Sequence, residues 1–387
     1  MRVAVTGAGG RLGSALVGAL TRQKPLSRAV SVEAWSRPAL DLDRPETLAR
    51  LVEARRPDLV LHTAAWTDVD GCARDPEAAL RRNGEATRVL ARACREAGAD
   101  LLYVSTNEVF DGRRTDRRPY AEDDPTSPAN PYGESKLAGE EAVLGTFARE
   151  AGAQLSARAP LSADAREADE PGVGAASVPQ GWVVRTAWLY GPPGDDFPAK
   201  ILRAAVRADA AAREGTNAAA SADAATKAGT AAVRAKTGGS RLRLVADEVG
   251  SPTRAADLAV GIVDLVRARP QTGIFHLVNA GRASRAEWAE EVLRGVGLRV
   301  PTERVPASTW ERASTPPRWG VLATGRAAQL GIMLRDWRSA LFDELPRYRD
   351  MAGALESAAA GAADDVTDRS PAARSTRPAP HHDRGGR

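Results

Sequence analysis

Five near-continuous apolar runs constrain the first half of this 387-residue chain: RVAVTG (2–7), AVSVEAWS (29–36), DLVLHTAA (58–65), DLLYVST (100–106) and GWVVRTAWLYG (181–191). They do not alternate apolar with polar, so each needs cover on both faces. Helical stretches lie between them, at LGSALVGALTR (12–22), PETLARLVEARR (45–56) and EAALRRNGEATRVLARACREAG (77–98). Strands buried on two sides and separated by helices build a parallel sheet with helices on each face. The expected fold class is α/β, a doubly wound parallel sheet of the Rossmann kind. A hydrophobic content of 43% is enough to bury its core.

Three segments break the pattern. Residues 151–180 are rich in Ala, Ser, Asp and Pro, residues 207–240 are low in complexity, and residues 353–387 have little to bury. All three read as surface insertions or disorder. The division that follows is a dinucleotide-binding domain over 1–187 and, over 188–352, a smaller C-terminal substrate-binding lobe that returns some elements to the sheet. The tail is expected to be disordered.

Charge and composition exclude several functions. A net charge of +4 over this length makes no basic stripe, so nucleic acid is not an expected partner. Cys72 and Cys94 are the only cysteines, and the four histidines have no ligand spacing, so no metal site is expected. The start MRVAVTG is a strand entering a turn, not a leader, and no apolar run reaches the roughly 20 residues of a membrane span. A cytoplasmic protein with no membrane partner is the expectation. Oligomeric state is not legible, and a homodimer is left open.

The first strand runs into VAVTGAGGRLGSAL (3–16), which sets Gly7, Gly10 and Gly13 between strand and helix. Gly7 permits the sharp turn, Gly10 lets the backbone approach a pyrophosphate, and Gly13 lets the helix pack closely on the sheet. The helix N-terminus faces the phosphates with its N–H groups. The spacing resembles that of the extended short-chain dehydrogenases/reductases. No acid ends the second strand: Ser36 stands there with Arg37 beside it, a pairing suited to a 2′-phosphate. NADPH is therefore the expected cofactor, with NADH as the alternative. The expected cofactor-binding residues are Gly7, Gly10, Arg11, Leu12, Gly13, Arg37, Asp41, Leu42, Ala64, Ala65 and Trp66, joined by Tyr132 and Lys136.

Tyr132 and Lys136, in NPYGESKLAGEEAV (130–143), are four residues apart and so share one helix face. A phenol is a poor acid catalyst near neutrality unless its anion is stabilised, and a nearby ammonium does that. Thr106 ends the preceding strand, with Ser105 beside it. In the superfamily this is the place of the hydroxyl that orients the substrate oxygen, which makes Thr106, Tyr132 and Lys136 the candidate catalytic set.

At greater length the sequence resembles the dTDP-4-dehydrorhamnose reductase family. The matching stretches are TGAGGRLG (6–13), STNEVFDG (105–112), YAEDDPTSPANPYGESKLAGEEAV (120–143), RTAWLYG (185–191), DEVGSPTRAADLA (247–259), GIFHLVNAG (273–281) and WGVLATGRAAQLGI (319–332). The resemblance implies NAD(P)H-dependent reduction of the 4-keto group of a dTDP-6-deoxyhexulose, giving dTDP-L-rhamnose. It also implies that the sugar meets Ser105, Thr106, Asn107 and Trp188.

Asn107 and Glu108 stand where that family usually has Asp-Tyr. Sugar-nucleotide dehydratases have Asp-Glu there and use both acids, and Asn107 breaks that pair. Other sugar-nucleotide reductases and epimerases, and non-catalytic binding subunits such as those of methionine adenosyltransferase, share the fold and remain open alternatives.

Overall fold

A computed structural model describes residues 1–22, 30–157, 178–213, 233–234 and 241–367. The dinucleotide half begins with β1 (Arg2–Thr6), α1 (Arg11–Arg22), β2 (Ser31–Trp35), α2 (Glu46–Arg55), β3 (Leu59–His62) and α3 (Val69–Arg74). It continues with α4 (Pro76–Ala79), a π-helical turn (Leu80–Glu85), α5 (Ala86–Glu96), β4 (Asp100–Thr106) and α6 (Pro131–Ala157). Then come β5 (Gly181–Thr186), β6 (Leu189–Tyr190), α7 (Phe197–Arg213), β7 (Val233–Arg234), β8 (Leu242–Val245), β9 (Val249–Gly250) and β10 (Thr253–Arg254). The chain ends with α8 (Ala255–Ala268), β11 (Gly273–His276), β12 (Ala283–Ser284), α9 (Arg285–Val296), β13 (Thr302–Val305), α10 (Gly325–Gln329), α11 (Trp337–Phe342) and α12 (Leu345–Thr367).

Six strands form one parallel sheet in the order β11-β5-β4-β3-β1-β2. All six residues of β5 and all four of β3 are buried, as strands without alternation require. Leu12 and Leu16 of α1 pack on one face with Leu258, Ile262 and Val266 of α8. Leu48 and Val52 of α2, Leu90 and Cys94 of α5, and Val143 and Phe147 of α6 cover the other. The chain reverses its direction of travel across the sheet between β1 and β3, so a crevice opens beyond the carboxyl ends of that pair.

A second core gathers Tyr190, Phe197, Ile201, Leu244, Trp288, Val292, Trp337 and Tyr348. Its helix α9 is well specified locally. Ser284 and Glu287 form a reciprocal capping box, and Gly297 ends the helix at φ 87°. Asp196 ties this lobe together by accepting hydrogen bonds from Gly191 N (2.9 Å), Ala199 N (2.9 Å) and the Tyr348 hydroxyl (2.7 Å).

Several expectations need correction. The helix expected over 77–98 is interrupted by the π turn, and the strand expected over 181–191 breaks at Ala187–Trp188. The irregular segments begin as structure: α6 continues to Ala157, α7 to Arg213 and α12 to Thr367, so residues 353–367 are helical and not a disordered tail. Helix propensity from alanine sustains these ends without a strong apolar face. The remainder of those segments, apart from residues 178–180 and the short strand β7, lies outside the described residues. Among the described residues, no helix is long and apolar enough to cross a membrane.

Candidate active site

The phosphate turn follows β1. Gly7 has φ 64°, and an added Cβ there would lie 2.9 Å from the Ala64 backbone. A Cβ on Gly13 would lie 2.2 Å from Gly7 O, and one on Gly10 3.1 Å from the same atom. These glycines therefore permit close backbone approach, as a cradle for a pyrophosphate requires. Ser14 N makes the first helical bond of α1, to Gly10 O (2.9 Å), so the N–H groups of Arg11, Leu12 and Gly13 have no partner within the helix. Leu12 is buried in the core, while Arg11 reaches sideways from the turn and donates to Gly191 O (2.7 Å) and Asp195 O (2.8 Å).

At the end of β2, Ser36 and Arg37 are exposed, and no carboxylate of the strand tip faces them: Glu33 accepts from the Trp35 indole (3.1 Å) and pairs with Arg55 (3.8 Å). Asp41 is turned into its own loop, accepting from Asp43 N (3.0 Å) and Arg44 (3.1 Å), and Leu42 packs against the core. Ala64, Ala65 and Trp66 line the exit of β3, with the Arg82 guanidinium 4.6 Å from the Trp66 ring centre.

Thr106, Tyr132 and Lys136 converge where β4 ends and α6 begins. The Thr106 hydroxyl, which accepts from Glu108 N (3.2 Å), lies close enough to the Tyr132 phenol to act on its ionisation. Burial holds the phenol above the ordinary tyrosine range, and the neighbouring Glu108 and Cys72 add to that, while the Thr106 hydroxyl acts in the opposite sense. Lys136 Nζ donates to Val104 O (2.8 Å) and lies 4.1 Å from the Tyr103 ring centre. Burial brings its ammonium down to about 7, against a partial restoring effect from Glu140. The phenol thus rests protonated, while the ammonium is about half deprotonated near neutrality.

A polar column supports this trio from beneath. Asn83 accepts from Trp66 N (2.8 Å) and donates to Trp66 O (3.0 Å) and Ser135 Oγ (3.0 Å), and Ser135 donates to Tyr132 O (2.8 Å). The ring of His62 bridges the hydroxyls of Thr6 (2.7 Å) and Thr87 (3.2 Å) and is held neutral, down to about 3, by burial and then by Lys136. Asn83 escaped the sequence reading. Its signal was present: Ala79, Asn83, Ala86, Leu90 and Cys94 follow one helical face, so an amide stands inside a buried apolar stripe.

The residues expected at the sugar are distributed unevenly. Ser105 Oγ is buried and has no hydrogen-bond partner, an orphan that a ligand would satisfy. Asn107 is buried, and its amide donates to Gly320 O (3.2 Å), so it packs against the C-terminal segment instead of opening to the crevice. Trp188 has φ 45°, unusual for a bulky residue. Its ring is covered by Arg285, 3.7 Å from the ring centre, and by the Gly250 backbone, and it stacks on Trp288 at 5.8 Å. The expected free face toward the sugar is therefore occupied by an arginine.

Charged groups line the other wall. Glu248 pairs with Arg285 (3.5 Å) and Arg312 (3.7 Å), and Asp70 pairs with Arg312 (3.7 Å). Lys200 feels the charges of Arg11 and Arg285, and Arg285 that of Arg312, so four cations follow one another from the phosphate turn into the second lobe. None of Arg285, Arg312, Lys200 and Glu248 was singled out from sequence, because they come from separate elements that only the fold brings together.

A parallel sheet with a glycine cradle at its switch point and a Thr–Tyr–Lys set at the next strand end defines a Rossmann-type protein of the extended short-chain dehydrogenase/reductase class. The family model described as RmlD substrate binding domain matches residues 1–151 and 224–349. A dTDP-4-dehydrorhamnose reductase of Streptomyces griseus is 33% identical over 356 residues, 90% of this chain and 94% of the relative. A probable dTDP-4,6-dihydroxy-2-methyloxan-3-one 4-ketoreductase of Streptomyces antibioticus is 32% identical over 89% of this chain and 95% of its own. The crystal structure of a dTDP-4-dehydrorhamnose reductase from Bacillus anthracis, in complex with NADP, superposes with a TM-score of 0.66 at 25% identity, covering 90% of this chain and 98% of that one. The chain belongs to the RmlD family.

Proposed function

We propose that this protein reduces the 4-keto group of a dTDP-6-deoxyhexulose, dTDP-4-dehydro-L-rhamnose first, to the alcohol dTDP-L-rhamnose, with NADPH as the hydride donor. The observation that carries the reading is Thr106 beside Tyr132, one helical turn from buried Lys136, in a chain whose relatives are named as dTDP-sugar 4-ketoreductases. Exposed Ser36 and Arg37, with no acid facing them, favour a cofactor bearing a 2′-phosphate. The glycine cradle, the first turn of α1 and Ala64–Trp66 would hold it.

When bound, a reduced nicotinamide would supply the hydride. Thr106 and Tyr132 hold the sugar carbonyl oxygen between their hydroxyls. A phenol kept protonated by burial is the correct resting state for a proton donor to the developing alkoxide. Lys136 stabilises the phenolate that remains, and Asn83 and Ser135 fix the first turn of α6 so that the donor does not wander. The cations from Arg11 to Arg312 offer the diphosphate of the nucleotide its counter-charge.

The test follows loss of reduced-nicotinamide absorbance with dTDP-4-dehydro-L-rhamnose and either NADPH or NADH. Oxidation with dTDP-L-rhamnose as product is expected, faster with NADPH. Tyr132→Phe should lower kcat by about 10²–10⁴ while binding cofactor normally. A protein that binds NADPH yet oxidises none would leave this reading without support.

A further inference from the structure

Glu108 has no counterpart in the reductase pattern, and its surroundings are unusual for a carboxylate. Its N–H donates to Thr106 Oγ1 (3.2 Å), which pins it beside the hydroxyl that meets the substrate carbonyl. Its Oε2 accepts from Asn130 Nδ2 (2.7 Å). Asn130 is itself held from two other directions, accepting from Gly133 N (2.9 Å) and donating to Thr315 O (3.1 Å), so the carboxylate plane is fixed. Among the described residues Oε1 receives no hydrogen bond and Glu108 joins no ion pair. Arg285 and Arg312 are near enough to be felt, yet each is paired to Glu248, and Arg312 also to Asp70. Glu108 also acts on Tyr132 and Cys72. It therefore stands near both the catalytic phenol and the charged wall, with one carboxylate oxygen that receives no hydrogen bond among the described residues.

A partly buried carboxylate oxygen without a donor is costly, and a ligand that brings a hydroxyl to it relieves that cost. We infer that Glu108 is a specificity-determining residue, whose Oε1 accepts the substrate hydroxyl on the carbon next to the reacting carbonyl. That hydroxyl is vicinal to the oxygen held by Thr106 and Tyr132, as Glu108 is adjacent to them. The inference rests on the reductase reading and adds a substrate class to it: keto-sugars that keep the neighbouring hydroxyl, in preference to those deoxygenated there.

Calorimetric binding tests this without turnover. The ligands are dTDP-L-rhamnose and its 3-deoxy analogue, titrated into NADP-loaded protein carrying Glu108, Glu108→Ala or Glu108→Gln. A hydrogen bond to a charged group is worth about ten- to a hundredfold in affinity. Glu108→Ala should therefore weaken dTDP-L-rhamnose by about that factor and the 3-deoxy analogue by less than about threefold, with Glu108→Gln between. NADP affinity should be unchanged in all three. Equal losses for the two ligands, or no loss for either, would overturn the inference alone. Failure of both ligands to bind the unaltered protein would overturn the reductase reading and the inference with it.

Discussion

At the scale of single residues, the chemistry depends on groups whose charge is suppressed by burial. Lys136 shows this most directly. Its ammonium, at about 7 in place of the ordinary 10.5, is half deprotonated near neutrality in the cofactor-free protein. The chain has five lysines, so lysine 13Cε resonances can be followed individually. One of them should titrate with a midpoint near 7 and be missing from Lys136→Met; a midpoint above about 9.5 would contradict the buried environment. The sign for stability follows. Between about pH 7 and 10.5 the folded chain binds fewer protons at this site than the unfolded chain, so Lys136 makes stability rise with pH across that window, and Lys136→Met should flatten the rise. Tyr132 and Lys136 were legible in the sequence because their helical spacing declares a shared face. Glu108 was visible only as a departure from a pattern. Its free oxygen and its fixed Asn130 partner belong to three dimensions.

Elements were legible in proportion to how local their causes are. The strands 2–7 and 100–106 declared themselves by unbroken apolar side chains, and the phosphate turn by its glycines. The turn makes a sharp prediction. Gly13→Ala puts a methyl group 2.2 Å from Gly7 O and should abolish NADPH binding and lower the melting temperature, whereas Gly9→Ala, with nothing within 4 Å, should alter neither. Equal behaviour of the two variants in a cofactor titration would show that the close approach is unimportant. The π turn at Leu80–Glu85 was not legible. It adds a residue to a helix whose composition reads as continuous, and what it accomplishes is tertiary: Asn83 turns to grip Trp66 and Ser135 at once. The positive φ of Trp188 has the same character. No local signal requires it, but the packing of Gly250, Arg285 and Trp288 around the ring does.

For the whole molecule, the decisive feature is the strap formed by residues 317–323. Trp319 N donates to Gly112 O (3.0 Å), Tyr120 N to Val321 O (2.8 Å), and Ala323 N to Tyr120 O (2.8 Å). Gly320 N donates to Val249 O (2.8 Å), and Gly320 O accepts from Asn107. The strap thus binds the loop after β4 to the second lobe. Gly112 carries it, at φ 67° and with Pro317 where a Cβ would stand at 2.3 Å. Gly112→Val should lower the melting temperature and the sugar affinity together, while Gly325→Ala, in open space, leaves both unchanged. Retained sugar affinity in a destabilised Gly112→Val protein would separate the strap from the site.

By itself the sequence determined the parallel sheet, the glycine turn and the shared helix face of Tyr132 and Lys136, because periodicity, glycine spacing and a four-residue interval are all short-range properties of a chain. Only the tertiary structure decided what surrounds them. Asn107 joins Gly320 across 213 positions, Arg285 covers Trp188, and Glu108 finds Asn130 and, among the described residues, no ion-pair partner. Such pairings are set by which surfaces the two cores bring face to face, and burial then assigns the charges. An isolated stretch of sequence carries neither quantity.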